Sequence, residues 1–309
     1  MQFRSFCSKY HIIPFPASPL TIRYFCAYLA HFQHIKHSTI KTYLAGIRLY
    51  HIESGHADPT NDELVHYLCT GIKRLQGVTK RTRLPITINI FKTLKHELHV
   101  STSITVYNKR LLWAAFTLAF YGFLRVSEFV APSPTQYAPQ NNLTVRDTIL
   151  QHNQIHLHIK QSKTDPFRAS HTILIAATQT STCPVRALHI YLKLRNQKQP
   201  TSNPLFIFED GRFLTREAFT QELRHLLQNA GFQPTAYASH SFRIGEATTA
   251  AAAGLPSWLI QTLGRWSSDC YKNYIHCPST TIENVPRQLA RANTTAAPVW
   301  NPDKGSSSI

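Results

Sequence analysis

Between Ser239 and Ile275 the chain reads SHSFRIGEATTAAAAGLPSWLIQTLGRWSSDCYKNYI, and four of its side chains, His240, Arg243, Trp266 and Tyr274, suit phosphate chemistry. The planar guanidinium of Arg243 offers a fork of donors to phosphate oxygens. His240, three residues earlier, can shuttle a proton near neutral pH, and the Tyr274 phenol becomes a nucleophile once its proton is removed. None of these steps requires a metal. A helix beginning near Ser239 places His240 and Arg243 on one face and turns its N-terminal amides toward an anion. The alanines at 247 and 250–253 permit close packing behind that face, and Gly254-Leu255-Pro256 leads into a new helix over Ser257–Leu263.

A second arginine closes the apolar run NKRLLWAAFTLAFYGFLRVSEFVAP. An unpaired charge at the end of a buried helix is costly, and Glu128, one turn after Arg125, supplies a partner. Taken alone, this stretch reads as a satisfied ion pair. Alternating apolar residues at Ile149, at Ile155, Leu157 and Ile159, and at Ile173 and Ile175 predict three short strands. Asp165-Pro166 marks a hairpin tip between the last two, and Lys163 falls on that hairpin with Lys160 as its competitor.

Taken in order, Gly122-x-x-Arg125-x-x-Glu128, Lys163, His240-x-x-Arg243, a Leu263-Gly264 turn and a following tyrosine resemble the tyrosine recombinase (phage integrase) family. Each box is short; the order across residues 125–274 carries the resemblance. It implies a catalytic set of Tyr274, Arg125, Arg243, His240, Lys163 and Trp266, with Glu128 orienting Arg125. The family places His or Trp directly after the glycine, whereas Arg265 stands there in this chain and Trp266 comes next. Trp266 is favoured for that role because it can pack on the nucleophile or donate its indole N–H. The family spacing of nine residues from the Gly-following position selects Tyr274 over Tyr271. The resemblance further implies DNA strand exchange through a 3′-phosphotyrosyl link without metal, ATP or other cofactor, and homotetramers assembled on DNA through the C-terminal segment. The wording of the boxes looks most like the recombinases of Crypton-type or DIRS-type eukaryotic mobile elements. Two other readings stand beside it: a domesticated, non-cleaving DNA-binding protein, which predicts loss of a catalytic residue and is opposed by the intact set of Arg125, Lys163, His240, Arg243 and Tyr274, and a type IB topoisomerase-like relaxing enzyme, which shares the chemistry.

The elements that must position these groups fall into two domains. A helical DNA core-binding domain is expected over residues 1–78, a basic linker over 79–86, a mixed α+β catalytic domain with a small antiparallel sheet over 87–292, and a tail over 293–309. In the first domain, Pro14, Pro16 and Pro19 predict an extended lead-in. Helices then begin near Ser18 (Phe25, Tyr28, Leu29 and Phe32 inward), near Ser38 (Ile40, Tyr43, Leu44 and Ile47 inward) and after Pro59, with Asn61 as cap and Leu64, Val65, Leu68 and Ile72 inward. In the second, helices follow Thr87 or Thr93, Pro184 and Thr215, and residues 205–208 read as a short buried strand.

The 309 residues carry 33 Lys+Arg against 16 Asp+Glu, a formal charge of +17 that suits a polyanion. Double-stranded DNA is the expected partner and a membrane is not, since the sequence has no run of 18 apolar residues. Lys41, Arg48, Lys73, Arg74, Lys80, Arg81 and Arg83 are candidate phosphate contacts. The six cysteines form no Cys-x-x-Cys pair, which fits a reduced, intracellular protein, nuclear in a eukaryotic host. The 17 histidines lack metal-ligand spacing and are expected to be ordinary core or surface residues.

Overall fold

The computed structural model describes residues 2–77, 83–162, 170–196 and 204–275. The chain divides into two compact units, Met1–Arg81 and Thr82–Ile309. Lys80, Arg81, Lys163 and the expected tail lie outside the described residues.

The first unit contains four helices among its described residues: α1 (Gln2–Lys9), α2 (Pro19–His31), α3 (His37–Glu53) and α4 (Glu63–Gln76). Proline at the first position of α2 forfeits no hydrogen bond, and the Ser18 hydroxyl caps the helix by accepting the Thr21 N–H. α4 begins at Asp62, whose carboxylate accepts the Val65 N–H, and not at Asn61 as expected; it ends at Gly77, where φ is 63°. Ile22, Phe25, Leu29, Ile40, Leu44, Ile47, Val65 and Ile72 form the core, and Phe3 and Phe6 of α1 complete it. The proline segment before α2 is non-helical as expected, and α1 is an additional helix, because two phenylalanines three apart have a core to bury against. Phe32 and Leu64, expected inward, are exposed at 65% and 52%. Each sits at or beside a helix end, where the apolar stripe has run past its neighbours. His51 is a fully satisfied core histidine: its Nδ1 donates to the Ile47 carbonyl and its Nε2 accepts the Ala17 N–H.

The second unit is organised around α6 (Val106–Tyr121), which follows α5 (Ile88–Val100) and is apolar on nearly every side. A helix buried all round belongs in the middle of a core. Phe91, Phe116, Phe219 and Phe242, brought from four different helices, meet in edge-on and tilted pairs. The short α7 (Val126–Phe129) follows, then the antiparallel sheet β1 (Thr148–Leu150), β2 (Gln154–Ile159) and β3 (His171–Ala176). Its register pairs Thr148 with Leu157 and Ile155 with Ile175, so Ile155, Leu157, Ile159 and Ile175 turn to the core, whereas Ile149 on β1 is exposed. α8 (Pro184–Asn196), α9 (Arg216–Asn229), α10 (His240–Ala252), α11 (Ser257–Gly264) and a 3-10 turn over Asp269–Tyr274 complete the unit.

Residues 205–208 do not form a ladder strand. Isolated bridges and two buried side chains hold them instead: Arg195 donates to the Pro204 and Leu205 carbonyls, and the Tyr191 hydroxyl accepts the Ile207 N–H. The second half of the expected linker is likewise docked and not loose. The Leu84 and Ile86 N–H groups donate to Ala236 and Ser241, Arg83 donates to Thr235, and Ile86 is fully buried.

Ile86 lies where α10 passes over it, and a Cβ on Gly245 would overlap the Ile86 carbonyl. Gly245→Ala is therefore expected to destabilise the protein by about 3 kcal/mol, the upper end of ordinary overpacking costs. Gly46→Ala in α3, where a Cβ would meet nothing within 4 Å, should add about 0.5–1 kcal/mol by restricting the unfolded chain. Urea melts of the two variants, read as midpoint shifts at constant slope, check both signs.

Candidate active site

α6 ends at Gly122, and the next residue, Phe123, takes a left-handed backbone with φ 48°. This conformation is uncommon for a side chain of that size. It brings the chain sharply round to Arg125, the residue that precedes α7. The Arg125 N–H donates to Glu128 Oε2 at 2.8 Å and its Nη1 donates to Oε1 at 3.1 Å, so one carboxylate fixes both the backbone and the side chain of the arginine. The expected ion pair is present, and it is part of something larger.

Glu128 is 4% exposed. Besides Arg125, its Oε1 accepts the Ser162 hydroxyl at 2.8 Å and its Oε2 accepts Arg265 Nη2 at 2.7 Å. Ser162 also accepts a bond from Arg125 Nη1 at 2.8 Å. The residue immediately before Lys163 is thus joined to the arginine cluster. Neither Ser162 nor the anchoring part of Arg265 was legible in the sequence, because the partners lie 34 and 137 positions away from Glu128.

α10 carries the rest. Arg243 is 2% exposed, donates to the Phe123 and Gly264 carbonyls, and lies over the Trp266 ring with its guanidinium carbon 4.3 Å from the ring centre. Burial, together with the positive charges of Arg125 and Arg265, draws its pKa down to about 10. Trp266 packs against Gly264, where any Cβ would run into its ring, which gives a physical reason for the glycine of the Leu-Gly turn. Arg265 between them is left-handed at φ 53°; this turns its side chain away from the Trp266 side and back to Glu128.

Leu124, Arg125, Ser127, Arg216, Ser239, His240, Arg243, Trp266, Cys270 and Tyr274 are among the walls of one pocket of about 450 Å³. His240 and Tyr274 meet edge to face at 5.0 Å, and Trp266 lies tilted on Tyr274 at 5.8 Å. Partial burial of the ring, then the charges of Arg243 and Arg125, hold the His240 imidazole below its ordinary pKa. Tyr271 is 2% exposed and also packs against Trp266, but lies outside the pocket lining. Lys160 is bound to Asp147 and to the Pro139 carbonyl. A cleft of about 480 Å³ between the sheet and α8 has one arginine, two histidines and no tyrosine.

Of the candidate DNA contacts, Lys41, Lys73 and Arg74 are exposed on the first unit, Arg48 there pairs with Asp58 at 3.2 Å, and Arg83 belongs to the second. No grouping of three or more His, Cys, Asp or Glu among the described residues could hold a metal ion, and no described helix is long and apolar enough to cross a membrane.

The arrangement can hold an anion between arginines and set a phenol and an imidazole beside it. It depends on Glu128. Glu128→Ala leaves Arg125 and Arg265 without their carboxylate, and a loss of about 3–5 kcal/mol is expected for breaking a buried pair from one side. A double-mutant cycle with Arg265→Ala should return a coupling of about 1–3 kcal/mol. Coupling near zero would mean that the two groups do not depend on each other.

Residues 89–278 match the phage integrase family. The integrase/recombinase xerD homolog of Selenomonas ruminantium is 25% identical over 275 residues, 87% of this chain and 76% of that protein. Among solved structures, XerH recombinase bound to a palindromic difH substrate superposes with a TM-score of 0.63 at 13% identity, covering 94% of this chain and 77% of that one. The Tn1549 transposon integrase in complex with transposon right-end DNA gives 0.60 at 15% identity, covering 89% and 86%. With the family matched across more than half the chain, over the span that holds both arginines, the histidine and Tyr274, the protein belongs to the phage integrase family of tyrosine recombinases.

Proposed function

We propose that this protein breaks and rejoins double-stranded DNA at specific sites through a covalent 3′-phosphotyrosyl intermediate. The observation that carries the reading is the convergence of Arg125, Arg243, His240 and Tyr274 on one pocket, from segments as much as 149 positions apart. The relatives support it: XerH was solved on its difH substrate and the Tn1549 integrase on transposon DNA.

In this mechanism the scissile phosphate binds between Arg125 and Arg243, whose guanidinium groups engage the non-bridging oxygens and offset the charge that grows in the transition state. Tyr274 attacks phosphorus, the bond to the 5′-oxygen breaks, and the DNA 3′-phosphate is left on the phenol oxygen. His240 takes the phenolic proton. Lys163 gives a proton to the departing 5′-oxygen; its chain neighbour Ser162 is bonded to Arg125 and Glu128. Rejoining runs the same steps backward with a 5′-hydroxyl as nucleophile. The phosphotyrosyl link conserves the bond, so the cycle needs no ATP or other cofactor. Trp266 supports Arg243 from below and Tyr274 from the side, while Glu128 orients Arg125.

Residues 1–78 serve as the core-binding domain and 79–86 as a basic linker before the catalytic domain. Lys41, Arg48, Lys73, Arg74, Lys80, Arg81 and Arg83 supply salt-dependent contacts to the DNA backbone. Four protomers assemble on two DNA sites through the C-terminal segment that follows Tyr274. The wording of the boxes suits a Crypton-type or DIRS-type mobile element, acting in a eukaryotic nucleus.

A pool of duplexes bearing nicks near varied sequences should yield an SDS-resistant protein–DNA adduct, because the short 5′ fragment diffuses away and leaves the link trapped. Tyr274→Phe is expected to abolish the adduct and Tyr271→Phe to retain it; the reverse pattern would overturn the assignment of the nucleophile. The lowered pKa of His240 keeps it neutral, and able to accept a proton, somewhat below the ordinary imidazole range. Adduct formation should accordingly hold steady as pH falls through that range and decline only beneath it. A decline at the ordinary imidazole value would mean that another group limits the rate.

A further inference from the structure

Glu246 has no place in the mechanism above, yet it is built into the same site. It follows Arg243 by three residues on α10, is 2% exposed, and neither of its carboxyl oxygens has a hydrogen-bond partner. Arg265 Nε is also buried without a partner. The groups whose charge reaches Glu246 are Arg243 on its own helix, Arg265 beyond α11 and Glu128 in α7. The turn Asp269–Tyr274, which packs on α10 as well, adds the phenols of Tyr271 and Tyr274; α6 adds no charge that reaches it.

A buried carboxyl group without hydrogen bonds is hard to explain as a stabilising feature, since an apolar or small residue would fill the same place at lower cost. The neighbouring positions of α10 show what stability alone selects: Gly245 and Ala247 are small and closely packed. Nor can Glu246 act as a second Glu128. The Glu128 oxygens receive Arg125, Ser162 and Arg265, whereas Arg243 is met by main-chain carbonyls and an indole face.

Resting on the reading of this pocket as a phosphate site, we infer that Glu246 is a positioning residue, an uncharged carboxyl group behind Arg243 and Arg265 that leaves the Arg243 guanidinium free to face the substrate phosphate. Burial pushes its pKa well above the carboxylate range, against the pull of Arg243 and Arg265. With Glu246 neutral, Arg125, Arg243 and Arg265 face the single carboxylate of Glu128, and the excess positive charge matches the dianion that a phosphate becomes in the transition state. Ionised, Glu246 would compete with the DNA phosphate for Arg243. Its position, three residues beyond the arginine on a helix of small residues, places that competition on the side away from the pocket lining.

The sign of the accompanying pH effect follows from linkage. A carboxyl group with a raised pKa in the folded state binds more protons folded than unfolded, so stability falls as pH rises above the unfolded value. Thermal melts of the full-length protein should therefore show wild type losing stability relative to Glu246→Gln from acid to neutral pH. Difference infrared spectra at neutral pH should show a carboxylic-acid C=O band in wild type that Glu246→Gln lacks. Parallel melts, or the absence of that band, would overturn the inference, and neither readout needs DNA.

Adduct formation on the nicked duplex pool then separates positioning from simple packing. Glu246→Ala, or Glu246→Leu if the alanine variant does not fold, should slow single-turnover adduct formation about tenfold at unchanged affinity for the pool, and Glu246→Gln, which is neutral and of the same shape, should restore it. Glutamine as slow as alanine would mean that the negative charge is required, and would overturn the inference. Absence of any wild-type adduct would instead count against the phosphotyrosyl reading and leave the melting and infrared results standing.

Discussion

Glu128 accepts bonds from the Arg125 backbone, the Arg125 guanidinium, Ser162 and Arg265 in a position almost closed to water. A buried carboxylate is tolerated only when its lone pairs are met, and here they are met by groups from three separate segments. Everything that faces the pocket is referred to that point. Arg125 is held from both ends, the chain leaving β2 is tied in through Ser162, and the turn after α11 is tied in through Arg265. Remove the carboxylate and these segments keep their secondary structure but lose their common origin.

The second fixed point is Arg243, and its environment is of a different kind. Two main-chain carbonyls and an indole ring receive it, without a direct carboxylate bond. Carbonyl dipoles orient a guanidinium while leaving its charge largely uncompensated, which suits a group that must still attract an anion. One of those carbonyls belongs to Phe123, and Arg265 donates to the same oxygen. Phe123 and Arg265 both adopt left-handed backbones. Strain of this sort persists where surrounding contacts over-determine it, and here each strained residue delivers a group to the arginine cluster: a carbonyl from one, a guanidinium from the other.

The tyrosines show how position and not residue type separates a reactive group from a structural one. Tyr271 and Tyr274 lie one turn apart and both touch Trp266. Tyr271 is sealed into the small cluster with Phe123, Ala247 and Ile260, whereas Tyr274 retains access to the pocket beside His240. The same indole thus serves as floor for Arg243, wall for Tyr274 and core for Tyr271.

Most of the helices and all three strands were legible in the sequence because their apolar residues recur at the period of the element, and a periodic pattern needs no knowledge of what lies across from it. The spacing of His240 and Arg243 put them on one helix face, while Arg125 and Tyr274 were singled out by the resemblance of their boxes, in order, to those of the family. Where the reading failed, the deciding partner was distant. Residues 205–208 have the composition of a strand, but the buried Arg195 and Tyr191 on α8 hold them in place of a ladder. Helix α1 forms because Phe3 and Phe6 find the Phe25 ring, a contact that spacing within residues 2–9 does not announce. The sequence by itself determined which residue types were present for phosphate chemistry and on which elements they stand. Only the tertiary structure decided that Glu128 serves two arginines 140 positions apart, that Trp266 faces the pocket while Arg265 turns behind it, and that Glu246 is sealed beneath them. Hydrogen bonding and desolvation are set by what folds against a side chain, and that is not written at the residue itself.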